Sequence, residues 1–96
     1  MEKYIYKKLS SPNSMRLAGI GNKIKSLIIT NTTDSLIKLN IYLTRSNEKY
    51  YISKSIKIIA NESLDVFHNG YSYDSNYQFV VNLESGSADI LLILEQ

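Results

Sequence analysis

Residues 23–44, KIKSLIITNTTDSLIKLNIYLT, decide the fold. Two apolar runs flank the polar punctuation Thr32-Thr33-Asp34-Ser35. In the second run Ile37, Leu39, Ile41 and Leu43 alternate with Lys38, Asn40 and Tyr42. A period of two places the aliphatic side chains on one face of a pleated strand and the polar ones on the other. The first run, Leu27-Ile28-Ile29, is apolar on both faces and reads as a strand covered on both sides, within two layers or beneath another subunit. A short polar loop between two such runs predicts a β-hairpin.

Outward from this stretch the cadence is the same. Residues 1–8 alternate Tyr4 and Tyr6 against Ile5, and Ser10-Ser11-Pro12-Asn13-Ser14 is a loop in which Pro12 disfavours a central strand. Residues 15–20 read as a strand or an extended arm, with Gly19, Gly21 and Asn22 turning the chain into the opening runs. Residues 1–16 are thus expected as an N-terminal arm or edge strand, and residues 17–96 as the β-sandwich domain. After the polar turn Arg45 to Lys49, residues 50–59 place Tyr50, Ile52, Ile56 and Ile58 on one face, interrupted by Lys54. Asn69-Gly70 predicts a type I′ hairpin, with Tyr71-Ser72-Tyr73 as its return strand. Tyr77, Phe79, Val81 and Leu83 alternate in the next run, and residues 89–95 are again apolar on both faces. Seven or eight short strands, with turn signals roughly every 8–12 residues, predict an all-β antiparallel sandwich of jelly-roll type.

Composition narrows the function classes. The 96 residues suffice for one modest core, with 44% hydrophobic and 21% charged residues as in ordinary globular chains. A net charge of +2, from 11 basic against 9 acidic residues, is too balanced to argue for nucleic-acid binding. With no cysteine, disulfides and thiolate metal sites are excluded. The first residues show no secretory signal, and the longest aliphatic run, Ile90 to Leu94, is far shorter than the ~20 residues of a membrane span, so no membrane partner is expected.

Catalytic and metal patterns are weak. His68 is the single histidine and reads as a polar residue beside the Asn69-Gly70 turn. Asp65 and Asp74 lie near it in sequence, but no G-x-S-x-G elbow is present. Asp74-Ser75-Asn76 is a fragment of a calcium loop at most, and Gly19-Ile20-Gly21 lacks phosphate-loop spacing. No catalytic residue, cofactor or metal ligand is therefore assigned. The eight tyrosines carry the binding signal, because aromatic bodies with polar tips are enriched at interfaces. Tyr51, Tyr71, Tyr73 and Tyr77 are the expected exposed contact residues.

The order of segments resembles the small β-sandwich virion structural proteins of tailed bacteriophages. The likeness rests on Lys23 to Thr32, the alternating Leu36 to Leu43, Tyr50 to Ile58, Glu62-Ser63-Leu64 and the closing Ser87 to Glu95. It covers residues 17–96 and departs from the pattern at Ala60-Asn61 and at the glycine-free Asp74 to Asn76 turn. The resemblance implies a non-enzymatic part of a particle, a capsid decoration (cement) protein or a neck or tail component. Its partners would be the major capsid protein or neck and tail proteins, with homo-oligomers on the virion, after assembly in the bacterial host cytoplasm. The alternative is a carbohydrate-binding module using Tyr71, Tyr73, Asp74 and Asn76.

Overall fold

The computed structural model describes residues 2–17, 23–67, 70–74 and 76–95. The turn expected at Gly19, Gly21 and Asn22, and the readings of His68 and Asn69, lie outside the described residues. Nine strands form among those described: β1 (Glu2–Ser10), β2 (Ser14–Leu17), β3 (Lys23–Asn31), β4 (Ile37–Arg45), β5 (Glu48–Ile58), β6 (Ser63–Asp65), β7 (Tyr71–Ser72), β8 (Gln78–Leu83) and β9 (Ser87–Glu95).

They make two antiparallel sheets. The first runs β1-β9-β3-β6, with β7 continuing the β6 edge of β3, and the second runs β2-β8-β4-β5. Outer segments pair with outer and inner with inner: β1 with β9, β2 with β8, β3 with β6, β4 with β5. That is a long antiparallel ribbon rolled upon itself, the jelly roll. Residues 1–16 are expected as an arm or one edge strand; among the described residues β1 and β2 supply an edge strand to each sheet, and β2 runs across the 16/17 boundary.

The hairpin expected between residues 23 and 44 does not form. β3 lies in the first sheet and β4 in the second, so the two strands face each other across the core. A period of two reads identically for neighbours in one sheet and for strands stacked in two, and the loop decides between them. Here the loop is organised by Asn31, fully buried at the end of β3. Its Nδ2 donates to the carbonyls of Ser35 (2.8 Å) and of Ile58 on β5 (2.9 Å). Its Oδ1 accepts from the Thr33 amide (2.9 Å) and hydroxyl (2.7 Å). Every polar site of the amide is used, and the side chain ties the end of one sheet to the end of the other.

Tyr71-Ser72, expected as the return strand of a hairpin, pairs with β3 instead. β6 and β7 both run antiparallel to β3 along one edge, so they continue one another as an interrupted strand. The tight hairpin of the chain is β4–β5, where Ser46 (φ 53°) and Asn47 (φ 66°) both take positive φ as a type I′ turn requires.

The core fills the space between the sheets. Ile24, Leu27 and Ile29 of β3 and Ile90, Leu92 and Leu94 of β9 meet Ile37, Leu39 and Ile41 of β4 and Phe79, Val81 and Leu83 of β8. β5 resolves the problem of Lys54. Its 11 residues run against 9 of β4, and the two extra residues are absorbed as register shifts, one around Lys54-Ser55 and one at Ile52. Ser55 takes φ 58° at the first shift. Each bulge flips the facing of the strand. Ile56 and Ile58 therefore point inward on one side of the bulges, and Lys54 is left exposed.

Replacing Asn31 by Ala should cost about 2–4 kcal/mol in denaturant unfolding, since buried carbonyls lose their donors. Gly86 has φ +80°, and a Cβ there would meet Ile37 Cγ2 at 2.5 Å. Gly86→Ala should therefore destabilise by about 1–3 kcal/mol. A wild-type midpoint for either variant would refute the corresponding packing.

Candidate functional site

The outer face of the first sheet follows from its registers. β9 sits between β1 and β3, and its outward residues are Asp89, Leu91 and Ile93. Tyr6, Leu91 and Ile28 stand in one row across the three strands, with Asp65 of β6 at its end. Tyr4, Ile93 and Ser26 form the next row. Both strands expected to be covered on both faces, β3 and β9, are buried on the inner side only. Ile28, Leu91 and Ile93 are half-buried on the outside, and Tyr4 and Tyr6 beside them are 52% and 74% exposed.

Charged rows bound this apolar block. At one end the Lys8 ammonium meets the Asp89 carboxylate at 3.0 Å, and the hydroxyls of Thr30 and Ser63 share a 2.7 Å hydrogen bond. A shallow hollow of about 450 Å3 lies here, floored by Ile28 and Leu91 and walled by Tyr6, Lys8, Thr30 and Asp89. At the other end Glu2 accepts hydrogen bonds from Lys25, the bulged residue of β3, and from the Tyr4 hydroxyl. These donors hold the Glu2 carboxyl below its ordinary value, while the same contact raises the Tyr4 phenol and the Lys25 ammonium.

The four tyrosines singled out from sequence are not brought together. Tyr51 is 45% exposed on the outer face of the second sheet, its ring 5.5 Å from that of Tyr42. Tyr77 lies half-buried at the end of that sheet, edge-on to Tyr50 at 5.8 Å. Tyr71 is half-buried and stacks on Phe67 at 4.9 Å. Tyr73 is a correction: it is 7% exposed, packed with Phe79 in the core, and burial pushes its phenol up. Its aromatic neighbours close this end of the sandwich with buried surface, so the ring cannot face a partner.

Of the set Tyr71, Tyr73, Asp74 and Asn76, Tyr73 is buried and Asp74 Oδ1 accepts from the Asn76 amide at 2.8 Å. Sequence reasoning missed Tyr4 and Tyr6 as surface residues. The signal was present in β9, whose outward residues had to face something. Among the described residues no cluster of His, Asp and Glu could hold a metal ion. Comparison with protein-family models, with curated proteins and with solved structures returns no match.

Tyr73→Ala should destabilise by about 3–5 kcal/mol, as for other large aromatic deletions from a core, whereas Tyr51→Ala should cost about 1 kcal/mol, the value of one aromatic pair. Equal losses would contradict the placement of the two rings. In an NMR titration Glu2 should lose its charge at lower pH than a free glutamate, and Lys25→Met should move it back up. Because the folded carboxyl titrates low, the pair contributes stability above the ordinary carboxylate range and loses it as pH falls through the lowered value. An unmoved Glu2 titration in Lys25→Met would refute the contact.

Proposed function

We propose that the chain is a non-enzymatic structural module that binds other protein subunits through the outer face of its first sheet. The observation that carries this reading is the uncovered block of Tyr4, Tyr6, Ile28, Leu91 and Ile93 at the middle of that sheet. Contiguous apolar surface rimmed by polar groups is the usual mark of an interface. A patch of this kind on paired strands is rigid before binding, so little ordering entropy opposes docking.

The sheet edges are poor candidates for association. β1 carries Lys3, Lys7 and Lys8, β5 is broken by two bulges, and β2 and β6 are short. These are the devices by which natural sheets block edge-to-edge pairing. Any symmetric assembly would therefore use faces. The resemblance in order of sequence segments to phage virion proteins supports a module held on a particle, as a decoration or cement protein or as a neck or tail component. Jelly rolls serve in capsid proteins and in lectins alike, so the fold by itself does not choose. The apolar block favours a protein partner.

Tyr6→Glu and Leu91→Lys put charge into the block without touching the core. Particles assembled with either variant should carry at least about tenfold less of the chain by quantitative mass spectrometry, a loss of roughly 1.4 kcal/mol or more. Melting temperatures should stay near wild type. Full occupancy on the particle with both variants would overturn the proposal.

A further inference from the structure

The balanced net charge conceals a segregation between the sheets. The strands of the second sheet carry Arg16, Lys38, Arg45, Lys49, Lys54 and Lys57 against Glu48 alone. Among the described residues both ion pairs belong to the first sheet, and no carboxylate lies within pairing distance of these six cations. Three of them sit over aromatic rings instead: Lys49 over Tyr42 at 5.0 Å, Lys54 over Tyr51 at 5.1 Å, and Arg45 over Tyr77 at 5.7 Å.

Register fixes how these groups are laid out. Arg16, Val80, Tyr42 and Tyr51 form one row across the outer face, and Gln78, Thr44 and Lys49 form the next. Val80 and Tyr42 are buried beneath the long side chains as a floor, while Tyr51 remains 45% exposed. Beside them is a hollow of about 410 Å3 lined by Arg16, Arg45, Thr44, Asn47, Asn76 and Gln78. These are the only two arginines in the chain, and 29 positions apart they line the same hollow. No carboxylate lines it, although Glu48 is the register partner of Arg45.

Arginine forks with amide and hydroxyl donors, and no acceptor charge among them, suit a phosphate group. A run of further cations with an exposed ring suits a chain of phosphates bearing bases. We propose that the outer face of the second sheet binds single-stranded nucleic acid, with Arg16 and Arg45 gripping one backbone phosphate. Lys49 and Lys54 neutralise neighbouring phosphates, and Tyr51 stacks on a base. A duplex keeps its bases inside and would leave the ring idle. An acidic protein surface would use the cations but has no need of the ring. The site lies on the sheet opposite the apolar block and stands independently of the function proposed above.

The test is fluorescence anisotropy of the full chain with a fluorescein-labelled oligothymidylate of about 20 nucleotides, long enough for one site. Binding should weaken steeply with salt, and Arg16→Gln/Arg45→Gln should lower the log–log salt slope by about 0.7, the share of one neutralised single-strand phosphate. Tyr51→Ala should weaken binding at least about fivefold, the low end for loss of a stacked base. Lys49→Gln/Lys54→Gln, both exposed, supplies a second charge variant whose fold is not in question and should also reduce the slope. Absence of salt-dependent binding overturns the proposal, as does an unchanged slope in both charge variants. Equal competition by polyglutamate would assign the face to an acidic protein and overturn it too. So would duplex DNA binding as tightly as the single strand with no loss in Tyr51→Ala.

Discussion

The fold depends on a corner, where β3 leaves one sheet and β4 enters the other. A chain that changes layers abandons ladder hydrogen bonds inside a nearly dry interior, and each orphaned group would cost about 1–3 kcal/mol. Asn31 removes that cost by saturating its own amide on carbonyls and donors of the β3–β4 loop and the end of β5. Neighbouring loops complete the lacing. Ser11 donates from its amide to the Gly86 carbonyl, Glu84 to that of Lys38, and Asn31 to that of Glu62. One end of the sandwich is thus held by backbone polar groups. The opposite end is closed by Phe67, Tyr71, Tyr73 and Phe79.

Once β3 and β4 occupy different layers, the two outer faces have different chemistry. The first sheet receives β9 and the inner half of β3, the two strands apolar on both sides, and so displays aliphatic surface. The second receives β4 and β5, whose outward positions are polar or aromatic, Lys38, Asn40, Tyr42 and Thr44 on β4 and Lys49, Tyr51 and Lys54 on β5. Bulges refine the division. The shifts in β5 expel Lys54 from the core side, and Lys25 at the β3 shift is exposed near Glu2. A polar ladder of Ser14, Asn82, Asn40 and the Ser55 amide crosses the second sheet and holds the first of the β5 bulges in place.

Much of this was legible in the residues. Period-two alternation in β4 and β8 named their inward side chains correctly, and the spacing of turns gave the antiparallel sandwich. The pairing of β3 was not legible, because Thr32 to Ser35 suits a hairpin and a layer-crossing corner equally well. Only the buried amide beside it discriminates. Tyr71-Ser72 was expected as a return strand, but the free edge of β3 takes it up along with Ser63 to Asp65. Tyrosine content pointed to surface contacts, but composition cannot say which ring fills a core, and Tyr73 did. Net charge could not reveal the basic sheet, since its compensating carboxylates lie on other elements. The outer-face block was half legible: β9 demanded cover on both sides, and the flanking Tyr4 and Tyr6 needed the β1–β9 register to be seen.

Both outer faces follow from the placement of sequence-adjacent β3 and β4 in opposite sheets. Interstrand backbone NOEs in an isotope-labelled sample test it most directly. Contacts are expected from Ile28 to Leu91 and to Asp65, and from Ile41 to Val81. A ladder of NOEs joining β3 to β4 around Thr32 to Ser35, as in a hairpin, would contradict it.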